Sequence, residues 1–301
     1  MKVLIIGFGS IGKKHFLALN ELGFLVDVLS KSYEFSHFEG KNFRLFKDLE
    51  ELNLQDYDLF IIANITTSHF KTLEFLDQNV KEKIILVEKP LFQKDMEFIP
   101  SNNNQIYIAY LLRFHPMIQD LKQLIDEKEV YFAKFICNSY LPNWRKLDYR
   151  QNYSAKKELG GGVMLDLSHE IDLAFYFFKE LSLKFSQNLK ISELEITSDD
   201  FTFLALSAKN TSIHIELDYF SKLTQRKILF HTKENSFEAD LVHNKLNIYD
   251  KTNNFKSKTY ENDTFKTLQN MYKAILEKDQ NLCTLEEARR VLRLCDEARN
   301  G

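Results

Sequence analysis

Short apolar runs alternate with amphipathic stretches along the first 112 residues of the chain. The apolar runs are continuous, which is typical of strands in a parallel sheet that is covered on both faces. The stretches between them repeat apolar residues at helical spacing. The pattern predicts, in order, Val3–Ile6, a helix from Ser10 to Leu22, Leu25–Leu29, Asp58–Ala63, a helix from Ser68 to Gln78, Ile84–Val87 and Ile106–Tyr110. We therefore expect a doubly wound α/β domain over residues 1–112.

Residues 113–301 follow a different pattern, in which strands succeed one another without helices between them. A helix from Ile118 to Asp126 comes first. The strands predicted after it are Val130–Ser139, Glu193–Thr197, Phe201–Ala208, Ser212–Phe220, Arg226–Thr232, Ser236–Asp240 and Lys245–Tyr249. Such a series predicts a mainly antiparallel sheet. Two helices close the chain, and the second opens with a capping box from Thr284 to Glu287. We expect residues 113–301 to form an α+β domain for substrate binding and oligomerisation.

Composition and charge exclude several classes of protein. The 301 residues include 44% hydrophobic and 28% charged side chains, as in ordinary globular chains. Forty basic and 43 acidic side chains give a net charge of −3. This balance disfavours nucleic acid or a membrane surface as partner and favours a small molecule. The three cysteines lack CxxC spacing, which indicates reduced thiols, no metal site and a cytoplasmic location. The first apolar run is cut by Gly7, so no signal peptide is expected.

Glycine is rare in this chain, and six of its nine glycines fall in two clusters. One cluster is Gly7, Gly9 and Gly12, and the other is Gly160, Gly161 and Gly162. Glycine is needed where the backbone takes a positive φ or approaches a ligand closely. We therefore expect the two clusters to mark the functional site.

The first cluster belongs to a loop between a predicted strand and a predicted helix, formed by Gly7, Phe8, Gly9, Ser10, Ile11 and Gly12. In this context GxGxxG is typical of a dinucleotide site. Gly7 permits the tight turn, Gly9 lets the backbone approach the pyrophosphate, and Gly12 allows the helix to pack closely on the strand. The helix N-terminus offers N–H groups to the phosphates. No Gly-Lys-Ser/Thr follows, which disfavours phosphoryl transfer.

The end of the second predicted strand bears on the choice of cofactor. A domain selective for NAD carries an Asp or Glu there, which accepts hydrogen bonds from the ribose 2′-hydroxyl. Here Ser30 and Lys31 follow the strand, and a hydroxyl and an ammonium suit a 2′-phosphate. Asp27 lies inside the strand, where a structural role is expected, and Glu34 lies too far along the loop. We expect a nicotinamide cofactor, with NADP preferred to NAD.

Two further segments carry acid–base chemistry. Lys89 follows the apolar run Ile84–Val87, at the carboxyl edge of the sheet where α/β proteins bind ligands. A lysine there can donate to a substrate hydroxyl or exchange a proton with it. A helix beginning near Val163 would place Asp166 and His169 three residues apart on one face, so that the carboxylate orients the imidazole.

Together these segments resemble the Gfo/Idh/MocA oxidoreductases. The likeness rests on GFGSIGKKH at 7–15, VEKPLF at 87–92 and GGGVMLDLSHEIDLA at 160–174, in this order over nearly the whole chain. It implies a Rossmann domain followed by a domain with a large open sheet. It also implies that Lys89 is the catalytic lysine, His169 the catalytic histidine and Asp166 the assisting aspartate.

The sequence departs from the family pattern at one point, and several further residues match it more weakly. Many members place three residues between the aspartate and the histidine, whereas two intervene here, which leaves Asp172 as a second candidate partner and a possible substrate ligand. Arg113 matches the family's crossover segment near the nicotinamide. For Arg113 the resemblance leaves two roles open, contact with substrate and a structural role. The residues that the likeness places against the cofactor are Asn64, Thr66, His69, Glu88 and Lys89.

A segment ahead of the triple glycine combines planar cations with aromatic rings. Its candidate substrate ligands are Trp144, Arg145, Tyr149 and Arg150. Arginine binds phosphate or carboxylate in bidentate fashion, and aromatic faces pack against sugar rings. An anionic sugar derivative would fit such a segment, although a solvated surface loop is an equal alternative.

These observations predict an NAD(P)-dependent bacterial dehydrogenase that acts on a secondary alcohol or ketone of a sugar derivative. Likeness to a subgroup favours a sugar phosphate or nucleotide sugar of surface glycan synthesis. The alternatives are a non-catalytic sensor of the same fold and a reductase of another carbonyl or an imine. Phe201–Ala208 is apolar on both faces, so the sheet is also expected to associate into a homodimer or homotetramer.

Overall fold

The computed structural model describes residues 1–31, 43–252, 254–261 and 263–300. The α-helices are α1 (Ser10–Glu21), α2 (Thr66–Asn79), α3 (Pro116–Leu124), α4 (Val163–Asp166), α5 (Ser168–Phe178), α6 (Thr264–Glu277) and α7 (Leu285–Asn300). The strands are β1 (Lys2–Ile6), β2 (Leu25–Leu29), β3 (Leu45–Phe46), β4 (Leu59–Ile62), β5 (Ile84–Val87), β6 (Gln105–Ile108), β7 (Val130–Tyr140), β8 (Ser182–Leu189), β9 (Phe201–Ala208), β10 (Thr211–Asp218), β11 (Phe220–Thr232), β12 (Asn235–Asp240), β13 (Lys245–Asp250), β14 (Phe255–Thr259) and β15 (Cys283–Thr284). The chain divides into two compact units, residues 1–111 with 263–289 (unit 1) and residues 112–262 with 290–301 (unit 2).

Unit 1 is a parallel sheet with helices packed against it. In the part of the chain that the structure describes, its strands lie in the order β15-β6-β5-β4-β1-β2-β3. Strands β1 to β6 are parallel to their neighbours, and β15 pairs antiparallel with β6. Every residue of β4 is buried, as expected for a strand covered on both faces. The order 3-2-1-4-5-6 is that of a Rossmann domain, so the predicted doubly wound fold is confirmed.

The chain returns to unit 1 near its C-terminus, which the predicted division into residues 1–112 and 113–301 missed. Cys283 and Thr284 extend the sheet beside β6, and α6 buries Leu268, Met271 and Tyr272 in this unit. The prediction is therefore wrong for residues 263–289. The reason is that a two-residue strand and an amphipathic helix do not reveal in the sequence which domain they pack on.

Unit 2 is a mainly antiparallel sheet with helices on one face. Over the described residues its strands lie in the order β14-β13-β12-β11-β7-β10-β9-β8, and β7 and β10 form a parallel pair. Residues of β9 alternate between buried and half-buried, so one face of the sheet is core and the other is open. We call these the inner and outer faces. Phe135, Phe177 and Phe230 fill the core on the inner face, with ring centroids 4.9 to 6.4 Å apart.

Two strands of unit 2 were missed, and one predicted strand does not form. Both β8 and β14 have mostly exposed side chains, so they carry no strong apolar signal. Residues Glu193–Thr197 form bends instead of a strand. The capping box before α7 is confirmed, because the Thr284 amide donates to Oε2 of Glu287 at 2.8 Å. Within the described residues, none of the helices has the length and apolar character needed to cross a membrane.

Candidate functional site

The glycine loop of unit 1 has the shape of a phosphate cradle. Gly7 has φ +99°, and a Cβ there would lie 2.5 Å from the Asn64 nitrogen. A Cβ on Gly12 would lie 2.3 Å from the Gly7 carbonyl oxygen. Both positions therefore need glycine for packing. Gly9 differs, because a Cβ there would meet no atom within 4 Å. The space beside Gly9 is therefore open, as expected for the residue whose backbone approaches the pyrophosphate.

The start of α1 is free to bind an anion. Gly9 is its N-cap residue and offers no side-chain cap, and the first turn carries no acidic residue. The first N–H groups of a helix and its dipole together favour a negative charge at this end. The residues present fit the dinucleotide implied by the fold: Ser10 and Ile11 supply the first-turn backbone, while Phe8 is buried and packs edge-on against Phe16 at 5.7 Å.

The end of β2 carries the residues predicted to meet the ribose. The strand ends at Leu29, and the Ser30 amide donates to the Phe46 carbonyl at 3.0 Å. Lys31 is 83% exposed, with Nζ 3.4 Å from Oδ1 of Asp48. Ser32 and Glu34 lie outside the described residues.

Asp27 has the structural place expected for it. Arg44 donates to both of its carboxylate oxygens, at 3.1 and 2.6 Å, and Tyr57 donates at 2.7 Å. Burial raises the pKa of Asp27, but these hydrogen bonds outweigh it and leave the pKa below its ordinary value. The carboxylate is thus ionised and engaged inside unit 1.

In the segment after β4, two predicted cofactor residues, Asn64 and Thr66, are half-buried and a third, His69, is buried. Asn64 donates from Nδ2 to Thr72 at 2.9 Å, and its Oδ1 has no hydrogen-bond partner among the described residues. Thr66 is the first residue of α2 and is half-buried. His69 is 1% exposed, and Nδ1 lies 3.1 Å from the carbonyl oxygens of Pro90 and Leu91. The His69 ring is thus enclosed by these backbone groups, and its contact with the cofactor stays a prediction.

The Glu88-Lys89-Pro90 motif follows β5 as predicted, and Lys89 is half-buried at the carboxyl end of the strand. Glu88 was predicted to contact the cofactor, but its carboxylate is engaged within unit 1. Oε1 accepts from Nε2 of His15 at 2.7 Å, and Oε2 accepts from the Lys89 amide at 3.2 Å. His15 in turn contacts the Tyr272 hydroxyl at 2.5 Å. Neither His15 nor Tyr272 was singled out from the sequence.

In unit 2, the helix expected to carry both Asp166 and His169 is interrupted. Helix α4 ends at Asp166, Leu167 leaves the helical conformation with φ −100° and ψ 20°, and α5 begins at Ser168. The argument that the two residues share one helical face is therefore wrong. Oδ2 of Asp166 accepts a hydrogen bond from Tyr219 at 2.6 Å.

His169 lies beside a carboxylate that the sequence analysis did not single out. Its Nε2 is 3.3 Å from Oε1 of Glu170, a fully buried residue. Arg226 donates to the same oxygen at 2.7 Å. Burial raises the pKa of Glu170, but the Arg226 charge and His169 outweigh it, so the pKa lies below its ordinary value. Glu170 is thus an ionised carboxylate beside the imidazole.

Cys137 completes this cluster from the inner face of the sheet. It pairs with Arg226 across β7 and β11, and its sulfur lies within 4.8 Å of ligand atoms of His169 and Glu170. Cysteine, histidine and glutamate are ligand types that suit zinc. Arg226 already supplies a positive charge to the Glu170 carboxylate, which disfavours a divalent cation.

Two predicted substrate ligands neutralise each other. The side chains of Arg113 and Asp172 are each 1% exposed, and the guanidinium contacts the carboxylate at 3.2, 3.0 and 2.7 Å. Arg113 also lies over the Tyr176 ring at 5.1 Å. The pair is enclosed in unit 2, and substrate binding by Arg113 and Asp172 stays a prediction.

The segment of arginines and aromatic rings divides into engaged and accessible members. Arg150 pairs with Asp148 and Glu195 at 2.7 and 2.8 Å, and its predicted role in holding an anion stays a prediction. The Tyr149 hydroxyl accepts from the Glu195 amide at 3.2 Å. Arg145 is exposed, donates to Asn152 at 2.6 Å and stacks 5.4 Å from the Tyr153 ring.

Trp144 packs edge-on against Tyr219, 5.2 Å between ring centroids, and Tyr219 is the partner of Asp166. Tyr219 therefore links Trp144 to Asp166, the last residue before the turn that leads into α5.

The second glycine cluster is explained by packing. A Cβ on Gly161 would lie 2.1 Å from the Tyr153 carbonyl, and one on Gly162 would lie 2.3 Å from the Asp199 carboxylate. Gly160 and Gly162 have φ +81° and +131°. Close contacts within unit 2 therefore account for Gly161 and Gly162, and the expectation that this cluster marks the functional site stays a prediction.

The glycine loop and the strand order of unit 1 are together those of a dinucleotide-binding Rossmann domain. Residues 1–98 match the Gfo/Idh/MocA family model, described as an oxidoreductase family with an NAD-binding Rossmann fold. The resemblance to the Gfo/Idh/MocA oxidoreductases is confirmed by this match and by the fold of the whole chain. No curated protein matches the chain in sequence.

Solved structures share the fold over essentially the whole chain. UDP-N-acetylglucosamine 3-dehydrogenase GnnA from Acidithiobacillus ferrooxidans is 18% identical, with a TM-score of 0.79 over 100% of this chain and 97% of that one. The WlbA dehydrogenase from Bordetella pertussis, in complex with NADH and UDP-GlcNAcA, is 15% identical, with a TM-score of 0.77 over 100% and 96%. The transcriptional regulator Gal80p from Kluyveromyces lactis is 16% identical, with a TM-score of 0.76 over 99% and 91%.

Proposed function

We propose that this chain is an NAD(P)-dependent oxidoreductase acting on a secondary alcohol or ketone of a sugar derivative, either a sugar phosphate or a nucleotide sugar. The observation that carries the proposal lies in unit 1, where the open cradle at Gly9 and the half-buried Lys89 both follow carboxyl ends of parallel strands. That edge of the sheet is where α/β proteins bind ligands. Two proteins of the same fold support the substrate class: the UDP-N-acetylglucosamine 3-dehydrogenase GnnA, and WlbA in its complex with UDP-GlcNAcA.

In this proposal His169 takes the proton of the substrate hydroxyl as general base, and Lys89 hydrogen-bonds to the same oxygen. A bound nicotinamide supplies the acceptor or donor of hydride. Glu170 keeps a negative charge 3.3 Å from His169, which stabilises the imidazolium that forms when the proton arrives. Arg226 lowers the proton affinity of Glu170, so the proton stays on the imidazole. Asp166 assists indirectly, because its hydrogen bond with Tyr219 holds the turn that leads to His169.

We propose that NADP(H) is preferred to NAD(H). Ser30 directly follows β2, and Lys31 keeps its ammonium largely in solvent, only 3.4 Å from Asp48. A hydroxyl and a mobile cation suit a 2′-phosphate, whereas a carboxylate at the strand end would repel it.

The anionic part of the substrate is proposed to meet Arg145. Its guanidinium is exposed and is paired with an amide and an aromatic ring, not with a described carboxylate. It is therefore available for bidentate binding of a phosphate, while Trp144 nearby offers an aromatic surface.

A sensor without turnover is the second candidate, supported by the likeness to the regulator Gal80p. The two functions are separated by a screen of the purified chain against sugar phosphates and nucleotide sugars with both cofactors, following nicotinamide absorbance. Turnover with at least one sugar supports the dehydrogenase. Saturable cofactor and sugar binding without any absorbance change would favour the sensor and overturn the proposed reaction.

We also propose that the outer face of unit 2 joins a second copy of the chain. Aromatic and imidazole rings form a row across this face, with neighbouring centroids 5.2 to 6.4 Å apart: Phe185, Phe203, His214, Phe132 and His231. Phe185 is 52% exposed, and the others are half-buried. A row of rings left in water favours association through the sheet.

A further inference from the structure

A line of buried polar groups in unit 1 ends at Lys89. It joins three segments remote in sequence: His15 in α1, Glu88 after β5 and Tyr272 in α6. Their exposed fractions are 0%, 9% and 1%. The contacts measure 2.5 Å from the Tyr272 hydroxyl to Nδ1 of His15, 2.7 Å from Nε2 of His15 to Glu88, and 3.2 Å from the Lys89 amide to Glu88.

One arrangement of protons satisfies every member of this line. Burial, aided by the Glu88 charge, raises the pKa of Tyr272 well above its ordinary value, so its hydroxyl stays protonated and donates. Nδ1 of His15 accepts this bond, and its Nε2–H donates to the carboxylate. The Lys89 N–H donates to the other carboxylate oxygen. Every donor in this line therefore points toward the Glu88 carboxylate. These hydrogen bonds fix the orientation of the carboxylate and of the Lys89 backbone amide bound to it.

A second buried histidine holds the same loop from its other end. His69 lies against the carbonyl oxygens of Pro90 and Leu91 at 3.1 Å, and its Nε2 is 3.2 Å from the Asn64 carbonyl. Lys89 thus lies between two anchored points, the Glu88 carboxylate and the His69 ring.

We infer that Tyr272, His15 and Glu88 are positioning residues that fix Lys89 for the reaction. The inference rests on the proposed function. A purely structural role accounts for them less well, because a buried polar line is no more stabilising than apolar packing of the same volume. The line of hydrogen bonds ends at the backbone amide of Lys89, the proposed catalytic lysine, so positioning of Lys89 is a function that it can serve. His15 also lies on α1, so the helix that presents its N-terminus to the cofactor carries the support of Lys89.

The test compares Tyr272→Phe with the matched variant Tyr57→Phe. Each change removes one hydroxyl that is 1% exposed and donates to a partner in unit 1, but Tyr57 contacts Asp27 and not the Lys89 loop. We expect Tyr272→Phe to lower kcat by about tenfold to a hundredfold, as displacement of a catalytic group does, with the cofactor dissociation constant within about twofold. Tyr57→Phe should leave kcat near that of the wild type.

A second readout does not need turnover. Acetic anhydride labelling followed by mass spectrometry reports the reactivity of the Lys89 amine, with Lys83 in the same unit as the internal reference. We expect Lys89 alone to change reactivity in Tyr272→Phe, by about threefold or more, and to remain as in the wild type in Tyr57→Phe. Unchanged Lys89 reactivity, or equal kcat in the two variants, overturns the inference. A wild-type chain that turns over no sugar contradicts the proposed function instead, and the labelling still decides whether Lys89 is held.

Discussion

Arg113 and Asp172 form a buried ion pair in unit 2, with Nη2 of the guanidinium 2.7 Å from Oδ1 of the carboxylate. Each side chain is 1% exposed, so solvent screens neither charge. Such a pair is hardly stabilising relative to apolar packing, but removal of one partner leaves an uncompensated buried charge.

Asp172→Asn should therefore destabilise the chain by about 3–5 kcal/mol, measured as the free energy of unfolding in urea. The double variant Arg113→Met with Asp172→Leu should recover most of this loss. A structural role for the pair fails if Asp172→Asn keeps wild-type stability and raises only the KM for sugar.

Two histidines give the chain a dependence of stability on pH. Burial lowers the pKa of His69 and His115, and the Arg226 charge contributes at His115. In the unfolded chain a histidine titrates near pH 6.5, so below that pH the unfolded state binds more protons than the folded state. Stability should fall as the pH is lowered from 7.5 to 5.5, by at most about 1.4 kcal/mol per pH unit for each histidine.

His69→Gln should weaken this dependence, whereas His243→Gln should not, since the His243 side chain is 70% exposed. Burial raises the pKa of Asp199 and Asp218 and opposes the trend, but it does so equally in both variants. Urea unfolding at the two pH values gives the comparison. Identical slopes for His69→Gln and the wild type would mean that His69 binds protons equally in the folded and unfolded states, and would contradict the lowered pKa.

Cofactor preference tests the position of Ser30. We expect kcat/KM of the wild type to be higher with NADP(H) than with NAD(H), and Ser30→Asp to reverse the ratio by about tenfold or more, because a carboxylate repels the 2′-phosphate and binds the ribose hydroxyls. Steady-state kinetics with both cofactors measure the change. A wild type that favours NAD(H), or an unmoved ratio in Ser30→Asp, would place another residue at the 2′ position.

Association through the outer face is tested by Phe203→Lys, which puts a charge into the row of rings. The wild type should sediment as a multiple of the 35.6 kDa chain, and the variant as a single chain at micromolar concentration. Leu25→Lys is the matched control, because Leu25 is 72% exposed and belongs to unit 1. A wild type that is already monomeric contradicts the proposed association.

The apolar pattern was sufficient to predict the strands that carry the site. Continuous runs such as Leu59–Ile62 are buried on both faces, and Phe201–Ala208 forms the predicted strand with the predicted bounds. The glycine loop and Lys89 could also be placed, because both lie directly at strand ends.

Features that depend on remote contacts could not be predicted in the same way. Leu167 breaks a helix that local preference would continue. Glu170 can be recognised only from its ion pair with Arg226, which is remote in sequence. His15 did give a signal, since it lies on the buried face of α1 with Phe16 and Leu19. A histidine in that position needs a buried partner, but nothing in the sequence identifies Tyr272 as one.

The central claim is that Lys89 and His169 carry the reaction, and the rate of hydride transfer in their variants tests it most directly. With a sugar substrate identified by the screen, Lys89→Met and His169→Asn should each lower kcat by about 10²–10⁴-fold while cofactor binding stays near the wild-type value. Lys83→Met and His243→Asn, which alter a lysine and a histidine outside the site, should retain turnover. Near-wild-type kcat in both Lys89→Met and His169→Asn would contradict the account.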